Sequence, residues 1–211
     1  MNLLAVSDLL DRPVRFLGKA GAWLIIPLII VIMFDVTTRR IDFLRIWMAN
    51  ADIAWFNPII FQDAEWHLHG VLLLLSLGFG YLVNAHVRVD VFREMMTIRR
   101  QLKVELLGLL VLGIPFLLVI SYFGFNFVAL SFSQGEGSES LTGIPARYVV
   151  KSFLFFGFVL LLMSFVSTAL RILVALWGDE TDRHKALHSL SIVSVPGPET
   201  DETDRSLSGG N

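Results

Sequence analysis

The amino-acid sequence predicts an all-α integral membrane protein with four transmembrane helices, chiefly because of where its charges lie. Hydrophobic residues make up 55% of the 211 residues, whereas ordinary soluble domains are about 45–50% apolar. Four stretches contain no Asp, Glu, Lys or Arg, namely residues 20–34, 66–87, 106–135 and 152–170. One helix needs about 20 mostly apolar residues to cross the hydrocarbon core of a bilayer. Each stretch therefore predicts one span.

The bounds of the predicted spans differ slightly from those of the uncharged stretches. The first span covers residues 16–38 and contains Pro27, which a helix packed against its neighbours tolerates. The second covers residues 66–84 and the fourth residues 149–177. The third, residues 106–132, is long enough to tilt in the bilayer.

Three segments lie outside the membrane domain or between its spans. Apolar residues recur at helical spacing in residues 1–18, which predicts an amphipathic helix on the membrane surface. The connection 39–65, the first outer loop, contains Trp residues of the kind found at headgroup level and predicts a second interfacial helix. Residues 178–211 are rich in Asp, Glu, Ser, Thr, Gly and Pro, so we expect a largely disordered tail after the membrane domain 19–177.

The distribution of positive charge predicts the orientation. Twelve of the 17 Lys and Arg residues lie in the loops and termini on one side of the spans, and five lie on the other side. Positive charge concentrates on the cytoplasmic face of membrane proteins. Both termini are therefore predicted to be cytoplasmic, N-in and C-in.

The composition makes several function classes improbable. The chain has no Cys, which excludes disulfides, iron–sulfur clusters and thiol nucleophiles. Its net charge of −2 gives no reason to expect nucleic acid as a partner. His67 and His69 are two residues apart, so they do not share a helix face, and the other predicted spans contain no His with which to hold a haem. We expect no enzyme activity, no cofactor and no metal site.

Ionisable residues deep in a membrane usually mark a path for ions or substrates. Here the candidates, such as Lys19 and Asp35, lie near predicted span ends, and the deep polar residues are mostly hydroxyls that typically serve helix packing. Complete carriers tend to show repeats and broken helices at mid-depth. The sequence therefore favours a helper subunit over a carrier.

The candidate partner-interface residues lie at the ends of the spans. Arg39 and Arg40 close the first span, and Glu65 and Trp66 open the second, so we expect Glu65 to pair with one of the two arginines. Asp35 and Arg39 are spaced i,i+4 and can also pair. The remaining candidates are Arg88 and Asp90 on the cytoplasmic side, and Glu136, Glu139, Arg147 and Lys151 around the outer turn before the fourth span.

The segment 86–92 has two interpretations. It is either an ordinary positively charged loop with a short amphipathic turn, or a fixed docking element in which Arg88 and Asp90 form ion pairs. Such a pair would fix geometry more than it would add stability.

Three ordered motifs resemble those of a known family. They are EWHLHG at 65–70, HVRVDVF at 86–92, and GEGS at 135–138 followed by TGIPAR at 142–147. Over about residues 20–177 the chain is similar to the small, four-span (Q-type) membrane subunit of tripartite ATP-independent periplasmic (TRAP) transporters. The connection between Arg40 and Glu65 is longer than that family suggests, so no residue roles are carried over between Ile41 and Asp63.

The resemblance implies a bacterial inner-membrane complex that performs secondary active transport by sodium symport. A periplasmic binding protein would capture a solute, often an organic acid, and a large membrane subunit would move it. This chain would be a scaffold bound side-on to the large subunit, surrounded by lipid, with the turn of Glu136, Glu139 and Arg147 near the docked binding protein. The alternative interpretation is a membrane-anchor subunit of a respiratory or quinone-linked complex, which predicts a haem band or bound quinone.

Overall fold

The computed structural model describes residues 3–50, 58–85, 96–138 and 143–190, and the regular elements in these ranges are all helical. The all-α prediction is thus confirmed for this part of the chain. In order, the elements are α1 (Leu3–Trp23), α2 (Ile25–Arg40), α3 (Asp42–Asn50), α4 (Pro58–Leu82), α5 (Ile98–Gly108), a π-helical turn (Leu109–Gly113), α6 (Ile114–Ser133), α7 (Arg147–Trp177) and α8 (Glu180–Ser189).

Within the described ranges, three stretches of helix are long and apolar enough to cross a membrane. They are Leu3–Arg40, Ile98–Ser133 and Arg147–Trp177, and they contain the predicted first, third and fourth spans. Helix α4 has 25 residues, but Glu65 and two His residues lower the hydropathy of its first half. Its role as a span stays a prediction.

The first long stretch is interrupted only at Leu24, between α1 and α2. Pro27, three residues later, causes this interruption, because it has no N–H to donate to the Trp23 carbonyl and its ring crowds that carbonyl. Helix α1 packs against α4 and α7 along its length. The interfacial placement expected for residues 1–18 and for the first outer loop, where α3 forms, stays a prediction.

Helix α7 lies at the centre of the packing. Helices α1, α4 and α6 all contact it extensively, whereas α2 packs mainly on α4. The α4–α7 contact is close because small residues face backbone: a Cβ on Gly78 would lie 2.8 Å from the Leu160 carbonyl oxygen, and one on Gly157 would lie 2.8 Å from that of Leu74. Ser164 strengthens the same contact by donating to the Gly78 carbonyl at 3.1 Å. This agrees with the expectation that deep hydroxyls serve helix packing.

Helices α5 and α6 are joined by the π-helical turn that precedes Pro115. The Ile114 N–H bonds to the Leu109 carbonyl, one residue further back than in an α-helix. A wider turn of this kind lets the helix continue past Pro115, which has no N–H to donate. At the turn, Gly113 lies against the Phe165 ring of α7, where a Cβ would approach Cε2 to 2.7 Å.

The beginning of the predicted tail is ordered. Residues 180–189 form α8, which packs on α7 and buries Ala186 completely. The acidic residues Glu180 and Asp182 in its first turn favour a helix start, because they complement the positive end of the helix dipole. Residues 191–211 lie outside the described ranges.

Candidate functional site

Polar contacts join the connection between α6 and α7 to the helices on either side of it. The Glu136 carboxylate accepts a hydrogen bond from Ser131 Oγ at 2.6 Å and forms an ion pair with Lys151. The Glu136 carbonyl also accepts the Arg147 N–H at 2.9 Å. Glu136 therefore attaches the connection both to the end of α6 and to the start of α7.

Lys151 contributes a second contact to this arrangement. Its Nζ lies 4.2 Å from the centre of the Phe127 ring, within the range of a cation–π interaction. The hydrogen bonds from Lys151 and then Ser131 hold the pKa of Glu136 below its usual value. Glu136 is thus a carboxylate at neutral pH.

The same connection is attached to α4 through Asp63. Its Oδ2 accepts hydrogen bonds from Ser138 Oγ at 2.7 Å and from the Ile144 N–H at 3.0 Å. Only glycine fits at position 143, because a Cβ there would overlap Ser138 Oγ and Asp63 Oδ2. We call the set Asp63, Ser131, Glu136, Ser138, Ile144 and Lys151 the loop clasp.

Asp63 is also ionised at neutral pH. Its partial burial raises the pKa, but the hydrogen bonds from Ser138 and the Ile144 N–H outweigh the burial and hold the pKa below its usual value. The charge of Arg147 acts in the same direction on Asp63 and Glu136. The residue before Arg147, Ala146, adopts the left-handed conformation at φ +59°, which costs a non-glycine residue about 1–2 kcal/mol.

The loop clasp includes two of the sequence candidates, Glu136 and Lys151, and the backbone N–H of a third, Arg147, donates to the Glu136 carbonyl. Asp63 was missed, because the sequence signal for it is only an acidic residue two positions before Glu65. Trp66 is 74% exposed on α4, and Arg40 is exposed at the end of α2. The other candidates, Arg88, Asp90 and Glu139, lie outside the described residues.

A second polar cluster joins α1 to α7 around Arg171. The Arg171 Nη2 lies 2.8 Å from Asp8 Oδ1 and 2.8 Å from Asp11 Oδ2. The contact with Asp11 is an ion pair without hydrogen-bond alignment. Arg171 Nε donates to Ser7 Oγ at 3.2 Å.

Ser167, one turn before Arg171, completes this cluster. It donates to Asp11 Oδ1 at 2.6 Å and lies 3.1 Å from the Ser7 carbonyl. Arg171 and Asp11 are 6% and 3% exposed, so removal of Arg171 would leave the buried Asp11 carboxylate with only the more distant and half-exposed Arg15 as a cation. We call the set Ser7, Asp8, Asp11, Ser167 and Arg171 the terminal clasp. The sequence shows acidic residues in an amphipathic N-terminal segment and one Arg at a span end. It does not show that these residues contact each other.

The arginine Arg39 near the end of α2 forms the i,i+4 pair that its spacing from Asp35 predicts. Arg39 Nε lies 2.7 Å from Asp35 Oδ2, and its Nη2 donates to Gln62 Oε1 at 3.3 Å. The expected pairing of Glu65 with Arg39 or Arg40 is not found among the described residues, since Arg39 is engaged by Asp35 on its own helix. Glu65 Oε1 is buried and has no hydrogen-bond partner in the described ranges.

The comparison with known families adds to this geometry. A family model described as "Tripartite ATP-independent periplasmic transporters, DctQ component" matches residues 28–175, well over half of the chain. The chain belongs to this family. No curated protein sequence and no solved structure matches it.

The DctQ match confirms the resemblance drawn from the sequence motifs, and it identifies the small membrane subunit of a TRAP transporter. With three apolar helices long enough to span a bilayer, the chain is a multi-pass protein of the inner membrane. The family is a transporter component rather than an enzyme family. The matched range contains the whole loop clasp, whereas Ser7, Asp8 and Asp11 of the terminal clasp precede it.

Proposed function

We propose that this DctQ protein is the non-catalytic scaffold subunit of a sodium-coupled, binding-protein-dependent importer of organic acids or related solutes. The observation that supports this proposal most is that the charged groups of the two clasps bind residues of the same chain, while the α4–α7 contact between the clasps is made by small and apolar residues. Such a chain holds a fixed shape, as a scaffold must.

The proposed topology has four spans and cytoplasmic termini. Helix α4 is the second of these spans, because its 25 residues extend about 37 Å at 1.5 Å per residue and a bilayer core is about 30 Å thick. It also packs side by side with α1, α2 and α7. The excess of Lys and Arg on the side of both termini supports N-in and C-in, and with this orientation the loop clasp would face the periplasm.

The proposed partners are the large TRAP membrane subunit and a periplasmic binding protein. Large apolar side chains are exposed on α2, such as Ile29 and Met33, and on α6, such as Phe123. In a membrane these faces contact lipid or a partner helix. The periplasmic connection 134–146, held in place by its clasp, is the surface on which the binding protein would rest. Glu136 serves in that surface as an internal anchor, because Lys151 already engages its carboxylate.

Co-expression with a neighbouring large TRAP subunit tests the scaffold role. The two chains should co-purify through a tag on either one. Reconstituted with the binding protein, the pair should take up an organic acid only with an inward sodium gradient. Failure to co-purify would remove the scaffold proposal, and uptake by the large subunit alone would show that this chain is dispensable.

The docking role has a separate test. Glu139→Lys should lower uptake while leaving co-purification unchanged, since the substitution alters the surface charge of the connection. Unchanged uptake would remove the docking proposal but leave the scaffold proposal in place.

A further inference from the structure

A pocket of about 600 Å³ lies between α2 and α4 near the outer ends proposed for these helices. Its charged lining comes from Asp35, Arg39 and Glu65, with Gln62 and His69 beside them. Neither clasp includes any of these residues. The pocket is therefore a separate feature of the molecule.

The charges in this pocket do not balance. Asp35 is 5% exposed, and only its Oδ2 is paired, with Arg39. Asp35 Oδ1 and Glu65 Oε1 are both buried and have no hydrogen-bond partner among the described residues. Glu65 lines the same pocket as Asp35 and Arg39, which is the single guanidinium there. Two carboxylates thus share a single guanidinium.

An unpaired buried carboxylate oxygen is costly, because it has lost its hydration and gained no donor. The cost is larger at a protein surface that faces lipid, where water does not replace the missing donor. The chemistry that would complete this pocket is a cation that donates hydrogen bonds.

The shape of the pocket favours a long basic side chain over a metal ion. Its walls include Leu28 and Ile32, which suit the aliphatic stem of Lys or Arg. Trp66 also lines it, and its mostly exposed ring could stack on a guanidinium. A hard cation such as calcium needs six to eight oxygen ligands at about 2.3–2.6 Å, whereas this pocket is wide and offers two unpaired carboxylate oxygens.

The pocket opens onto an apolar strip of α2. Ile25, Ile29, Ile32 and Val36 recur every three or four residues and are exposed, so they share one face of the helix. Ile32 and Val36 belong to both the strip and the pocket lining. A partner helix lying along this strip would bring a side chain to the pocket.

We propose that this pocket receives a Lys or Arg side chain from a transmembrane helix of the large membrane subunit, which the apolar strip of α2 holds alongside. The inference rests on the proposed function, because it requires that subunit as the partner. The basic side chain would supply the donors that Asp35 and Glu65 lack and would fix the register of the two subunits.

The test measures how much large subunit stays on the tagged chain during washes of increasing NaCl. The Asp35→Asn, Glu65→Gln double variant should retain at least about tenfold less large subunit than the unmodified chain, because the partner's charge is then buried unpaired. Asp42→Asn, an exposed acid at the start of α3, should retain it fully. Gel filtration of each chain alone reports whether the variant is folded.

A second variant avoids the charged groups. Val36→Trp fills the pocket mouth, and it should cause a loss of similar size, whereas Val119→Trp on α6 is its matched control. The two valines are 53% and 56% exposed. If the double variant and Val36→Trp both retain the large subunit like the unmodified chain, the inference is wrong.

The remaining outcomes separate the inference from its alternatives. If the unmodified chain itself retains no large subunit, the proposed function fails first. If NaCl, compared with choline chloride, raises the Tm of the unmodified chain alone but not that of the double variant, the pocket is a cation site and the inference is overturned.

Discussion

Arg171 of α7 and Asp11 of α1 form a buried ion pair, with Arg171 Nη2 2.8 Å from Asp11 Oδ2. The pair joins the first described helix to the end of the central one. Ser167 and Asp8 add further contacts to the two partners. The N-terminal helix is therefore held by charge as well as by apolar packing.

The first prediction concerns this pair. Arg171→Met removes the nearer cation but keeps an aliphatic stem, which leaves the buried Asp11 carboxylate with only the half-exposed Arg15 at 3.6 Å. We expect a loss of about 3–5 kcal/mol in the free energy of unfolding. Thermal or denaturant unfolding in detergent, followed by Trp fluorescence, measures this loss.

Arg15→Gln is the control for that measurement. Arg15 lies 3.6 Å from the same carboxylate, but nearly half of its side chain is exposed, so the change should cost less than about 1 kcal/mol. The Asp11→Asn, Arg171→Met double variant should be more stable than Arg171→Met alone. Equal losses for Arg15→Gln and Arg171→Met would contradict a special role for the buried pair.

The second prediction concerns Gly143. In Gly143→Ala, the new Cβ would overlap Ser138 Oγ and Asp63 Oδ2, so the connection must move away from α4. The Ile144 amide, which donates to Asp63, should then exchange its hydrogen at least about tenfold faster, as expected for a group released from a folded contact. Hydrogen exchange read by mass spectrometry measures this rate.

Gly137→Ala is the matched control in the same connection. A Cβ at Gly137 would meet nothing within 4 Å, so exchange at Ile144 should stay as in the unmodified chain. If both alanine variants exchange alike, the contact between Gly143 and Asp63 does not hold the connection in place.

The third prediction is that acid opens the loop clasp. The pKa values of Asp63 and Glu136 are lowered in the clasped state from their ordinary values of 3.8 and 4.5. A carboxyl group with a lowered pKa stabilises the clasp fully above its ordinary pKa, and this stabilisation disappears as the pH falls through the lowered value. The connection should therefore stay closed at neutral pH and open only below pH of about 4.

A fluorophore on Gly137→Cys follows this opening, because the chain has no other Cys. Its emission should be constant from neutral pH down to mild acid and change below. Glu136→Gln should reduce the pH-dependent change, since one of the two titrating groups is gone. A transition centred near neutral pH would show that other groups control the connection.

The sequence was sufficient for the all-helical fold and for the family, because both depend on patterns along the chain. Uncharged stretches predict helices that cross a bilayer, and ordered motifs identify relatives. The sequence also singled out Glu136, Arg147 and Lys151, because they lie close together around the connection before α7. Their role at a partner interface stays a prediction.

The contacts between distant segments could not be predicted in this way. Asp63 meets Ile144 through a hydrogen bond that spans 81 residues, and Asp11 meets Ser167 across 156 residues. No periodicity connects such positions. The pair of Asp35 and Arg39 could be predicted, because opposite charges one turn apart on a helix favour each other. The expected pairing of Glu65 with Arg39 or Arg40 joined two different helices and had no such periodicity behind it.

The last prediction concerns the α4–α7 contact. In Gly78→Ala, the Cβ would lie 2.8 Å from the Leu160 carbonyl oxygen. Backbone cannot move aside as a flexible side chain can, so the two helices must separate. We expect a loss of about 1–3 kcal/mol in the free energy of unfolding. Gly70→Ala on the same helix meets nothing within 4 Å and should be neutral or stabilise the chain by up to about 1 kcal/mol. Unfolding in detergent compares the two variants, and equal effects would show that α4 and α7 are not held together by the close approach at Gly78.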